Sequence, residues 1–347
     1  MDAYGDDVAV YFNADGTPIV DQDMEEMLAG RNPLSVETTA SVSGGDQDTR
    51  YYLSGTWKED EGVVTNTFFD KQSLRLNLEQ NFGSRLQVTA SANVVHTLSD
   101  RGLTNNDNSG TSYYMVFPFT PSFVPLDEQA DGTYPTNPFE RSNPIQTAAL
   151  MTNEEDVWRV ITSGSANLRA LQSATQSLDL RFTGGVDYFQ QKNDLLFPPE
   201  LQFEPNDGLA GTSLLSNSDN RDITVTGTAV HAYDAGTTSF TTTAGVQYGT
   251  RDLNTARVAA KGLTAGQSSL AAGVVKEIRE NRSEINDLGF FVQEEALLLD
   301  ERMLLTAGLR ADRSSVNADP DGYSWYPKAA ASYRFDDPLP FAEALKL

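Results

Sequence analysis

Residues 72–97, QSLRLNLEQNFGSRLQVTASANVVHT, alternate apolar and polar side chains on both sides of Phe82-Gly83-Ser84. Leu74, Leu76 and Leu78 point one way, and Ser73, Arg75, Asn77 and Glu79 point the other. After the hinge, Leu86, Val88, Ala90, Ala92 and Val94 repeat the pattern against Gln87, Thr89, Ser91 and Asn93. A period of two is the signature of a β-strand with differently solvated faces. The stretch predicts a hairpin with one apolar face and one very polar face, turning at FGS.

The same period recurs along the chain, and helical periodicity is almost absent. Eleven strands are predicted, at 33–43, 50–58, 71–82, 85–96, 157–170, 177–190, 222–233, 238–250, 285–299, 302–313 and 325–335. Most exceed the five or six residues usual in globular sheets and reach the 9–11 residues a tilted strand needs to cross a bilayer. The connections alternate between short and long, the longest holding sixty residues, 97–156. A soluble sandwich has no reason to keep its long loops at one end. Outer-membrane barrels keep tight periplasmic turns and longer extracellular loops. The short set, GGDQDT, FGS, DAGT and DE, has the Gly and Asp content of tight hairpins.

Composition agrees with a barrel without requiring one. Only 39% of residues are hydrophobic, mean hydropathy is −0.40, and no stretch of 18 apolar residues exists. A transmembrane helix is excluded, but a barrel alternates lipid-facing and lumen-facing residues and so has the average of a soluble protein. The net charge of −24 opposes nucleic-acid binding, since phosphates would be repelled. With no cysteine there is no disulfide scaffold, thiolate nucleophile or Cys-based zinc site. MDAYGDDVAVYFNADG has neither a basic region nor an apolar core, so it does not read as a signal peptide.

Motifs for catalysis or metal binding are weak. Asn317, Asp319, Asp321 and Gly322 match the first half of a calcium loop, but position twelve is Lys328 where a bidentate Glu is needed; the segment reads as a turn. His96 and His231 are the only histidines and have no ligand spacing around them. No GxSxG frames a serine, no phosphate-cradling glycine loop is present, and the many carboxylate pairs are expected by chance among 49 acidic residues. No catalytic residue, metal ligand or cofactor is predicted. The long loop carries an aromatic cluster. Tyr113, Tyr114, Phe117, Phe119, Phe123 and Tyr134 are candidates for substrate contact by stacking on sugar rings, or for packing on a partner; the alternative is that they form the loop's own small core or part of an aromatic girdle. Trp57, Trp158 and Trp325 are expected in such a girdle.

Residues 40–95, in the order SVSGG, RYYLSG, EDEGVV and SLRLNLE, resemble the SusC/RagA family of TonB-linked outer-membrane transporters. LGFFVQEE (288–295), LLTAGLRADRSS (304–315) and YSWYPKAAASYRF (323–335) are similar to barrel strands of TonB-dependent receptors in general. The resemblance implies an all-β antiparallel transmembrane barrel, of which this chain supplies about eleven of 22 strands, located in the cell outer membrane. It implies import of an oligosaccharide or peptide, a TonB complex acting through a plug segment, a SusD-like surface lipoprotein over the loops, and no enzymatic step. Residues 1–32 are then expected to be a remnant of an extracellular loop and 33–347 a partial barrel without plug or closing strands, the tail PLPFAEALKL entering a further strand. A soluble all-β binding or adhesion module is the other reading; it accounts for the charge but not for the alternating loop lengths.

Overall fold

The computed structural model describes residues 6–104, 109–204 and 208–335. It contains one antiparallel sheet of eleven strands, each hydrogen-bonded to its neighbours in sequence. The strands are β1 (Val36–Gly45), β2 (Thr49–Glu61), β3 (Phe68–Phe82), β4 (Leu86–Asp100), β5 (Thr152–Gln172), β6 (Gln176–Phe197), β7 (Thr212–Asp234), β8 (Ser239–Lys261), β9 (Val275–Leu298), β10 (Met303–Ser314) and β11 (Ser324–Tyr333). Among the described residues, β1 and β11 each have one unpaired edge. No helix there is long and apolar enough to cross a membrane.

The register sorts side chains into two faces. Leu74, Val94, Val160 and Tyr188 form one line across β3 to β6. Phe182, Gly227, Val246, Phe290, Ala311 and Trp325 form another across β6 to β11. Many of the large apolar side chains on this face are exposed, Leu74 by 54%, Phe182 by 53% and Trp325 by 62%. A belt of exposed Leu, Val and Phe this extended is stable against lipid, not water.

The opposite face is polar and internally bonded. Thr89 meets Ser165, and Ser91 meets Ser163, at 2.7 Å each. Arg159 forms a two-point pair with Asp187, and Arg251 Nε donates to Asp222 at 3.2 Å. Arg310 lies over the Phe291 ring at 5.9 Å and donates to Gln247 at 3.0 Å and to Asp312 at 2.8 Å. Gly245 and Gly289 make room for this cluster: a Cβ at 245 would collide with the Phe291 ring, and one at 289 with the Asp312 carboxylate.

All eleven predicted strands are present, but five are much longer than expected. β5 to β9 hold 21 to 24 residues, so they absorb more than half of the expected loops 191–221 and 251–284, while the connection between β4 and β5 stays long. The connections 198–211 and 262–274 are correspondingly short. At about 3.3 Å per residue such strands span roughly 70 Å, far beyond a bilayer. Their outer arms, such as VKEIRENRSE in β9, have water on both faces and therefore carry no apolar alternation. The alternation of connection lengths survives: 46–48, 83–85, 173–175, 235–238 and 299–302 lie at one end, and the longer connections lie at the other. The expectation for the tail 338–347 lies outside the described residues.

At the long-loop end, four segments close over one another. The N-terminal segment contributes α1 (Met24–Ala29), capped by the Asp23 side chain. The connection between β4 and β5 contributes α2 (Tyr113–Val116) and α3 (Pro144–Leu150). Leu28, Val64, Tyr113, Ala148, Met151 and Leu201 form one core, and Met24, Val124 and Leu126 a second. Each fully buried Leu or Val contributes about 1.5–3 kcal/mol. The cap formed by these segments, not the sheet, holds most of the deeply buried side chains.

Candidate functional site: an acidic and aromatic cavity in the loop cap

The N-terminal segment is tied to the β4–β5 connection through Gln22. Its backbone N–H donates to Ser122 O at 2.8 Å, its side-chain oxygen accepts from Leu126 N at 3.2 Å, and its amide donates to Asp127. Tyr11 and Phe12 pack on Phe123, with ring centroids 5.7 and 5.0 Å apart. Between the joined segments lies a cavity of about 940 Å³. Asp21, Asp23 and Glu25 line one wall, and Tyr114, Phe117 and Thr120 the other.

The predicted aromatic residues therefore separate. Tyr114 and Phe117 face the cavity; Tyr114 is half exposed. Tyr113 is fully buried behind them, with its hydroxyl on Met151 Sδ at 3.3 Å, and burial pushes its pKa up. Phe119 is exposed on the surface. Tyr134 sits beside Glu128, and desolvation followed by that carboxylate raises its pKa. Phe123 joins the N-terminal segment to Phe139.

Residues that the sequence reading passed over build the cavity's support. Asn143 is fully buried. It caps α3 by accepting from Ile145 and Gln146 N–H, and donates to Leu126 O and Pro135 O at 2.9 Å each. Asn137, also buried, donates to Thr120 Oγ1 at 2.8 Å and Ser142 O at 3.1 Å. Gln202 and Gln146 tie this connection to the next: Gln146 donates to Glu200 O at 2.8 Å, and Gln202 to Asn137 O at 2.9 Å. Asn143-Pro144 was the one legible signal, since Asn followed by Pro is a helix start.

Chemically, the cavity offers carboxylate acceptors opposite aromatic faces, which is a binding arrangement. Among the described residues no group of three His, Cys, Asp or Glu is placed to hold a metal. The Asn317–Gly322 segment is a turn in which Gly322 N–H donates to Asp319 O at 3.2 Å and Asp321 N–H to Asp319 Oδ1 at 3.2 Å. A second, lumen-side recess of about 400 Å³ lies among Asp222, Arg251, Arg310, Asp312 and Tyr326.

Comparison with known proteins follows the same lines. No family model matches the chain. It is similar to TonB-dependent receptor P26 of Formosa agariphila, 26% identical over 152 residues, covering 42% of this chain and 14% of that protein. It is 25% identical to TonB-dependent receptor P3 of the same organism over 185 residues, covering 51% of this chain and 17% of that protein. The matched stretches thus span less than a fifth of those relatives. Among solved structures, the RagAB peptide transporter superposes on 95% of this chain and 37% of its own, with a TM-score of 0.71 and 19% identity. The ferric citrate transporter FecA superposes on 87% of this chain and 40% of its own, with a TM-score of 0.51 and 10% identity. The alternating belt, the loop asymmetry and these superpositions together show a sheet with the fold of part of an outer-membrane barrel wall, in a chain similar to TonB-dependent receptors.

Proposed function

We propose that the chain forms about half of a 22-stranded barrel that imports an oligosaccharide or peptide across the outer membrane. A plug segment would engage the TonB complex, and a SusD-like surface lipoprotein would close over the loop cap. The observation that carries this reading is the division of one continuous sheet into an exposed apolar belt and a charged inner face, with the folded loops gathered at one end. That division disfavours a soluble adhesion module, whose outer face would be polar.

In this reading the wall makes and breaks no covalent bond. Asp222, Arg251, Arg310 and Asp312 present a wet surface to the plug and the passing solute. The cavity beside Tyr114 and Phe117 receives substrate, the rings stacking on sugar or peptide planes and Asp21 and Glu25 accepting hydrogen bonds. Tyr113, Phe119 and Tyr134 do not line this cavity.

The test is uptake of labelled oligosaccharides and peptides by cells carrying the complete transporter, with and without the proton gradient. The proposal predicts gradient-dependent uptake that falls when Tyr114→Ala is introduced. Uptake unaffected by collapsing the gradient would overturn it.

A further inference from the structure

Across β2 to β5 the lipid-facing side carries a polar interruption near the long-loop end. A single register line runs through Trp57, Gln72, His96 and Trp158, on the same face as Leu74 and Val94. The His96 ring stacks on Trp158, with centroids 4.3 Å apart and planes 15° from parallel. Its Nδ1 is 2.9 Å from Gln72 Oε1, and its Nε2 is 2.9 Å from Asp156 Oδ1. An imidazole, an amide and a carboxylate on a membrane-facing surface are costly unless polar groups meet them.

From this cluster a groove of about 460 Å³ runs toward the belt over Ala40, Gly55, Leu74 and Val94. Those four residues are themselves one register line, and the small side chains of Ala40 and Gly55 hollow it out. Trp57 and Trp158 flank its polar end and stay about half exposed, at 47% and 51%. The groove is therefore amphipathic in the same sense as a lipid: apolar toward the bilayer centre, polar and aromatic toward the long-loop end.

We propose that it binds a membrane glycolipid, with an acyl chain along Ala40–Gly55–Leu74–Val94 and a sugar headgroup against the two indoles. The groove's continuity with the lipid-facing belt selects a lipid as the occupant. Charge selects its headgroup. No Lys or Arg lines the groove, and Glu59, Asp70 and Asp156 stand along the next register line outward, so a phosphate headgroup is repelled. A sugar donates hydroxyls to the free lone pairs of Asp156 and presents C–H faces to tryptophan.

The test uses the complete transporter containing this chain, in phosphatidylcholine nanodiscs, titrated with monogalactosyl diacylglycerol bearing brominated acyl chains. Tryptophan quenching reports the chain's arrival. The expected result is saturable quenching at low mole fraction, with brominated phosphatidylglycerol about tenfold weaker. Asp156→Ala should weaken the galactolipid about tenfold. Gly55→Leu, which fills the groove without touching the polar cluster or the sheet's hydrogen bonds, should abolish the saturable component. Equal quenching by both lipids, or unchanged binding in either variant, would overturn the proposal.

Discussion

The sheet wall and the loop cap are built on opposite rules. In the wall, side chains are exposed on the face that is apolar, and stability comes from backbone ladders plus a lipid solvent. Leu74, Leu76 and Leu78 are each 39% or more exposed. In the cap the fully buried residues include Leu28, Tyr113, Leu126, Asn143 and Leu201, drawn from connections far apart in sequence, as in a small water-soluble domain. The wall depends on the membrane around it, whereas the cap depends on its own packing. The two should therefore fail separately.

The largest effect should come from the cap. Leu201→Ala or Leu126→Ala removes a fully buried side chain, and should destabilise the cap by about 2–5 kcal/mol. Hydrogen exchange in the complete barrel should show faster exchange across 113–150 with β3 and β4 unchanged. Parallel loss of protection in β3 and β4 would mean that cap and wall are one cooperative unit.

Next in size is a charge on the wall. Leu76→Arg should cost about 2–4 kcal/mol of folding into lipid vesicles, as a lipid-facing arginine does near the bilayer middle. Asn77→Arg, one residue along and on the lumen face, should be nearly neutral in the same urea titration. Similar penalties for both would erase the distinction between faces. Within the cap, Asn143→Asp keeps the α3 cap but removes the two N–H donors to Leu126 O and Pro135 O. We expect about 1–3 kcal/mol of cap stability lost, read by protease sensitivity of 121–151.

These differences also explain how much the sequence disclosed. Strand 222–233 was legible because Ile223, Val225 and Ala229 alternate with Thr224, Thr226 and Thr228 across one apolar and one wet face. The arm of β7 from Ser216 to Arg221, SNSDNR, was not, because no apolar residue marks either face while the ladder to β6 and β8 continues. The cap was illegible for a different reason. Its cores join Leu28, Val64, Tyr113 and Leu201, and no local period connects residues that distant. The aromatic cluster could not show which of its members face the cavity: Tyr113 and Tyr114 are adjacent, yet one is buried and the other lines the cavity. The His96–Trp158 stack was likewise hidden, since only the register brings β4 and β5 together there.

The smallest effects should be shared by both regions. Arg159 is half exposed and pairs with Asp187, so Arg159→Ala should change stability by only about 0.2–1 kcal/mol. Asp46, in the tight turn between β1 and β2, accepts N–H bonds from Thr49 and Asp48 that hold its pKa below the usual carboxylate value. Asp131 in the cap is lowered by the Thr133 hydroxyl and then by the Thr133 N–H, both of which donate to it. A depressed folded-state pKa means the contribution is present above the unfolded value near 3.9 and is lost as pH falls through the folded one. Both turns should keep their amide protection at neutral pH and fray only on acidification below about pH 4; earlier loss would contradict these bonds.

The central claim, that one face of the sheet meets lipid and the other a wet lumen, has a direct test because the chain contains no cysteine. Single cysteines at positions 74 to 79 of the complete barrel, spin-labelled in lipid vesicles, report collision with oxygen or with a water-soluble nickel chelate. The account predicts strict alternation: oxygen access at 74, 76 and 78, and nickel access at 75, 77 and 79. Nickel access at all six positions would show that β3 does not line a membrane.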